Sequence, residues 1–296
     1  MPPIHPATRT LISPARLNRP GGRRIYWVLV GLTVLAFTLV FIGPLYWMVI
    51  GGLKSGHEVA QIPPTLYPKH PAPGNYADAW TSLTLARLLW NTAFYAFGAL
   101  AFQLVLDVAA AYAFSKLRPV LGKAILGLML ASLMIPSTVL VIPQYVTVID
   151  LPIVHWHMLN SPWAIWLPAV TNAFNIFLLK RFFDSIPEDL MAAAAVDGAG
   201  PLRTLLFIVL PMARPILGVV AIFSVTAVWK DFLWPLLVEP APGKRTVNVG
   251  IYAFSTGLTQ NVVIAGAVIA AIPTVIFFLI FQKNIVAGLT TGALKG

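Results

Sequence analysis

The residue types that could do covalent or metal chemistry are few in this chain and poorly spaced for it. None of the 296 residues is cysteine, which removes thiol nucleophiles, disulfides and thiolate metal sites together. The phosphate-cradling loop G-x-x-x-x-G-K-[ST] is missing: Gly122-Lys123 has Leu117 where the first glycine belongs, and Gly243-Lys244 has Val238. His155 and His157 flank Trp156 with only Asp150 close in sequence, too few ligands for a metal site. No zinc-protease helix, nucleophile elbow or cluster of catalytic carboxylates is present. The sequence therefore assigns no catalytic residue, no metal and no cofactor. The chain is not expected to be an enzyme, and any ATP-driven step would need a separate polypeptide.

Two groups of residues remain. The first is the stretch Ser185–Pro211, SIPEDLMAAAAVDGAGPLRTLLFIVLP. Ser185-Ile186-Pro187-Glu188 fits a capping box, and Asp184, Glu188 and Asp189 suit the positive end of a helix dipole. Leu190–Val196 is rich in strong helix formers, and Gly198, Gly200 and Pro201 then end the helix. Ala192 and Ala195, with Ala199 if the helix runs that far, give a slim face at i, i+3 and i+7. Beside it Glu188, Asp189, Asp197 and Arg203 offer charges. Two readings stay open on these grounds: a docking face for a soluble partner, or an interfacial helix packed on its neighbours. The second group is polar residues inside apolar runs: Asn91, Gln103, Asp107, Asn172, Asn175, Lys230 and Asp231. Each is costly in lipid, so each either hydrogen-bonds a neighbouring helix or lines a pathway.

The elements that must carry these residues are helices that cross a membrane. The chain is 58% hydrophobic and only 10% charged, against roughly 25% charged in soluble domains. By the rule of about 20 apolar residues per crossing, six spans are expected: Ile25–Ile50, Leu88–Phe114, Ala124–Pro143, Ser161–Leu179, Ile216–Val238 and Val262–Phe281. Ile25–Ile50 is too long for a signal-peptide core of roughly 7–15 residues. Residues 1–24 have no acidic residue and many Pro and Arg, and are expected to be a disordered tail. The outer loop Gly51–Arg87 is proline-rich and extended, with a short helix over Asp78–Arg87. Pro136, Pro235 and Pro273 are expected to kink their spans.

Six spans put both termini on one side. That side collects fourteen of the Lys and Arg residues against six on the other, so both termini and residues 185–211 are expected in the cytosol of a cell or inner membrane. The net charge of +10 is thus a topology signal, not a nucleic-acid footprint.

Residues 185–211 resemble the cytosolic loop of binding-protein-dependent ABC importer permeases, whose pattern is E-A-A, three residues, G, nine residues, I-x-L-P. Ala193-Ala194, Gly198, Ile208, Leu210 and Pro211 match it in spacing, while Ala192 stands where the glutamate belongs. Asn75-Tyr76, Ala110-Ala111-Tyr112-Ala113 and Trp229-Lys230-Asp231-Phe232 are similar to the carbohydrate branch, in which the Trp is usually followed by Asn. The end, Gly288 to Gly296, is similar to the maltose-type inner-membrane subunit. The resemblance implies an all-α polytopic membrane protein. It would comprise a tail (1–24), a six-helix permease domain (25–287) with a cytosolic coupling-helix elbow (185–211), and a C-terminal tail (288–296). It further implies a second permease subunit, an ATP-binding-cassette ATPase dimer that binds the ATP, an external solute-binding protein and membrane lipid as partners, with a sugar, oligosaccharide or polyol as cargo. The ATPase contact would fall on Glu188, Asp189, Ala192, Ala193, Ala194, Asp197, Gly198, Ala199 and Arg203. Sugar sites combine aromatic faces with amides and carboxylates, which points to Trp229, Trp234, Asn175 and Asp231, and with Asn91, Gln103 and Asn172 from the polar residues inside spans these are the pathway candidates. The rival reading, a self-sufficient channel or ion-coupled transporter, predicts internal repeats, and none is evident between the two halves.

Overall fold

A computed structural model describes residues 20–293; residues 1–19 and 294–296 of the two expected tails lie outside the described residues. The described residues are helical, with no strand among them beyond an isolated bridge between Leu151 and Trp156. Apolar runs of this length have no water to satisfy their amides in lipid, and the helix satisfies them internally.

In chain order the helices are α1 (Pro20–Leu53), α2 (Gly56–Val59), α3 (Gly74–Ser82), α4 (Leu85–Tyr112), α5 (Gly122–Ser132), α6 (Ser137–Ile149), α7 (Trp163–Trp166) and α8 (Ala173–Asp184). They continue with α9 (Glu188–Val196), α10 (Pro201–Thr204), α11 (Leu210–Met212), α12 (Arg214–Lys230), α13 (Leu233–Val238), α14 (Val247–Ser255) and α15 (Gln260–Ala293). Wide π-turns extend α4 over Ala113–Leu117 and join α10 to α11 over Leu205–Val209. Three helices are long and apolar enough to cross a membrane by themselves: α1, α4 with its π-turn, and α15. Two bent pairs reach that length and apolarity only when taken together, α5 with α6 at 105° and the α10–α11 segment with α12 at 83°.

Several expectations are corrected here. Residues 20–24, expected in the tail, already belong to α1, and α15 carries helix through Ala293 into the expected C-terminal tail. Span Ala124–Pro143 is broken at Leu133–Pro136, because Pro136 has no N–H to continue the ladder and instead precedes α6. Span Ser161–Leu179 is not one helix: α7 ends at Trp166, and Asn172 starts α8 afresh by accepting from the N–H groups of Phe174 and Asn175. Helix α12 stops at Lys230, Asp231 is extended, and α13 resumes two residues later. In the outer loop, α3 starts before Asp78 and ends at Ser82, and a left-handed Thr84 separates it from α4.

The core falls into three clusters. One joins α4, α8 and α12 at Tyr112, Leu179, Phe183 and Val219; another joins α4, α7 and α12 at Tyr95, Ile165 and Trp229. The third packs α3, α4 and α15 at Leu83, Leu88 and Ala265. Helix α1 adds nothing to them; its apolar side chains stay largely exposed until Ile50.

Candidate functional site

Helix α9 and the turn after it form an elbow that stands on the end of the α4–α8–α12 cluster. The helix begins one residue after Pro187, whose fixed φ suits that position. Ser185 is not its cap, contrary to the capping-box expectation: the Ser185 hydroxyl donates 2.7 Å to the Phe182 carbonyl, ending α8 instead. At the other end Gly198 takes φ +73°, where a side chain is disfavoured. The Ala199 N–H then reaches the Ala194 carbonyl at 2.9 Å and the Gly198 N–H the Ala195 carbonyl at 3.1 Å, a Schellman close. Ala199 therefore lies beyond the helix, and Gly200-Pro201 opens α10.

The elbow presents a small-residue surface. Ala194 and Ile186 are buried, while Ala192, Ala193, Ala195, Asp189, Asp197 and Arg203 are exposed and Val196 is 88% exposed. Its base is clamped by the α4–α5 connection. The Ser115 hydroxyl donates to Asp184 at 2.7 Å, Lys116 donates to the Ile186 carbonyl at 2.9 Å, and Arg118 pairs with Glu188 at 2.5 Å. Lys180 completes the Asp184 site at 2.7 Å. Burial pushes the Asp184 carboxyl up, but these hydrogen bonds and the neighbouring ammonium charges outweigh it and leave it below the ordinary value. Glu188 is thus paired within the chain, leaving Asp189 and Asp197 as exposed acids of the elbow with no ion pair among the described residues. Sequence reading counted Ser115, Lys116 and Arg118 only as topology or not at all; no local pattern links them to a helix about 70 residues away.

The pathway candidates separate. Gln103, Asn172 and Asn175 converge on one cavity of about 700 Å³, joined there by Ser224, Thr226 and Lys230 and by Phe174, Phe223 and Phe278. The Asn175 amide donates to Ser224 at 3.3 Å, and the Asn172 N–H donates to buried Asp107 at 3.0 Å. Asp231 and Trp234 line a separate cavity of about 370 Å³ on the other side of α12. Trp229 lines an apolar cavity of about 450 Å³. Both indoles are committed to backbone: Trp229 to the Ala270 carbonyl at 3.3 Å and Trp234 to that of Ala164 at 2.9 Å. Asn91 ties down the loop before α14, donating at 3.0 Å to the carbonyls of both Gly243 and Arg245. Ser224 and Thr226 were missed as candidates, and Lys230, singled out as a polar residue in an apolar run, was not carried into the pathway set, although residues 223, 226, 227 and 230 share one face of α12 at helical spacing. Chemically the larger cavity offers amides, hydroxyls and one ammonium, a set for binding a polar solute.

Comparison with known proteins agrees with this layout. Residues 103–290 match the family model for the inner membrane component of binding-protein-dependent transport systems. A diacetylchitobiose uptake system permease protein of Streptomyces coelicolor is 28% identical, over 95% of this chain and 93% of its own. A sulfoquinovosyl glycerol transport system permease protein of Agrobacterium fabrum is 32% identical, over 86% and 88%. In fold, the chain superposes on a chain of a bacterial ABC transporter that imports the acidic polysaccharide alginate, with a TM-score of 0.77 at 23% identity, covering 93% of this chain and 99% of that one.

Proposed function

This chain belongs to the family of binding-protein-dependent transport inner membrane components, and we propose that its α9 elbow is the handle by which a separate ATPase drives it. The protein is a multi-pass permease subunit of an ATP-driven ABC importer for a sugar or sugar derivative. We read six crossings: α1, α4, α5–α6, α7–α8, α10–α12 and α15, with both termini and α9 on the cytosolic side, where most Lys and Arg residues lie. The ATPase contact then falls on the exposed alanines with Asp189, Asp197 and Arg203. Glu188, Ala194 and Ala199 shape the elbow from behind. Gln103, Asn172 and Asn175 line the route for solute, and Asn91, Trp229, Asp231 and Trp234 hold the surrounding helices in register. ATP favours the closed form of the motor, and that differential affinity tilts the permease between its inward- and outward-open states.

The observation that carries the coupling proposal is an alanine face left bare on an elbow clamped to the helix bundle. A groove on the motor can approach such a face closely, and the buried apolar joint beneath it, Phe183 with Ile186, Leu205 and Val209, passes the push into α8 and α12. Gly198→Val tests it. A Cβ at Gly198 meets nothing within 4 Å, so the change acts through the backbone, straining the left-handed turn by about 1–2 kcal/mol. The importer containing it should still assemble and hydrolyse ATP, while uptake per ATP falls at least severalfold. Normal uptake would overturn the handle.

A further inference from the structure

Lys230 is the last residue of α12, whose 17 residues rise about 24 Å from Arg214. That is still inside a hydrocarbon layer of about 30 Å. An ammonium at such depth is retained only where it has a partner or a water-filled cavity. Among the described residues Lys230 makes no ion pair, and its side chain is exposed on the wall of the 700 Å³ cavity. Its neighbour Asp231 lines the other cavity.

The rest of that wall is complementary to an anion. No Asp or Glu lines it. The first turn of the 12-residue α8 borders it through Asn172 and Asn175, adding the positive end of a helix dipole. Gln103, Ser224 and Thr226 supply neutral donors. Of the two nearby carboxylates, Asp107 is fully buried behind Asn172 and bound to its N–H, and Asp231 lines the other cavity and accepts the Trp234 N–H at 3.4 Å. A cavity so built discriminates by charge: one ammonium and one helix end favour a carboxylate, phosphate or sulfonate, while amides and hydroxyls suit ring hydroxyls.

We propose that Lys230 makes this permease selective for anionic sugars, which pass with their acidic group against its ammonium. This deepens the permease reading and rests on it. The test uses the importer assembled with its second permease, its ATPase and its solute-binding protein. This chain has no cysteine, so Thr226→Cys reports the local potential through its rates with two methanethiosulfonates, one bearing sulfonate and one trimethylammonium. The ratio of anionic to cationic rates should fall roughly tenfold when Lys230→Gln is added, as expected for loss of a charge within one cavity; an unchanged ratio overturns the proposal. In proteoliposomes, uptake of glucuronate, galacturonate and sn-glycerol 3-phosphate should exceed that of glucose, galactose and glycerol at least tenfold, and Lys230→Gln should erase that preference. Uptake that favours the uncharged member, or of none of the six, overturns it. So does a Lys230→Gln importer that no longer assembles, because that marks Lys230 as an ion-pair partner of the second permease. Failure of the unaltered chain to associate with any ATPase would instead overturn the permease reading itself.

Discussion

Glu239 shows how a single side chain can set a condition on the fold. It follows α13, is fully buried, and neither carboxylate oxygen has a hydrogen-bond partner among the described residues. Burial pushes its carboxyl up to about 7, against the pull of the Lys244 charge. The folded value is therefore above the unfolded one. Below about pH 4.5 the group is neutral in both states and costs nothing electrostatically; as pH rises toward 7 the unfolded chain ionises first and stability is lost. Thermal unfolding of the purified protein should give a Tm that declines between about pH 5 and 8. Glu239→Gln should flatten that decline, and an unchanged slope would show that another group causes it. Asp184 has the opposite sign: its depressed value stabilises the elbow's base at neutral pH, and that contribution disappears only when pH falls through the folded value. Neither behaviour was legible in the sequence, where Glu239 looks like an ordinary loop acid after an apolar run.

At the scale of elements, run length announced the helices but not their directions. The stretch from Ala124 to Pro143 is continuously apolar, and nothing in its composition distinguishes a straight span from two pieces at 105°. Pro136 marked the place, and only packing decided whether it bends or breaks the helix. The Ser161–Leu179 span hid its break because Asn172 reads as a polar intrusion rather than as the cap that starts α8. Ser185 failed in the reverse sense: its hydroxyl served the helix before it, donating to the Phe182 carbonyl that its own N–H also reaches. The alanine face and its glycine stop were legible because local spacing alone specifies them. Close approach was not. Gly98 lets the Trp166 indole lie against α4, where it donates to the Tyr95 carbonyl at 3.1 Å and packs between Phe94 and Phe102. A Cβ at Gly98 would overlap that indole. Gly98→Val should therefore displace α7 and cost about 1–3 kcal/mol, read as a lower Tm in detergent and a shift in tryptophan emission. An unchanged emission would mean that the α4–α7 contact is looser than drawn.

For the whole molecule, the question is how a push at one end reaches a cavity at the other. Helix α8 answers it geometrically. Its first turn holds Asn172 and Asn175 on the cavity, its last holds Phe183 and Asp184 at the elbow's base, and its 12 residues span about 18 Å. Two kinds of joint fasten the elbow to it. The polar clamp includes the Arg118–Glu188 pair, whose side chains are 68% and 72% exposed; exposed pairs of this kind contribute roughly 0–1 kcal/mol. The apolar joint is Phe183, fully buried with Ile186, Leu205 and Val209 in one cluster. Magnitudes therefore assign the mechanical load to the apolar joint, since a Phe→Ala change at such a site costs about 3–5 kcal/mol. Phe183→Ala should leave a cavity under the elbow, so that motor closure moves α9 without moving α8. In the assembled importer, ATP hydrolysis should persist while uptake per ATP falls at least tenfold, whereas Arg118→Ala should leave the ratio within about twofold. If the two variants lose coupling equally, the force travels through the polar clamp, and the elbow is held by charge rather than by packing.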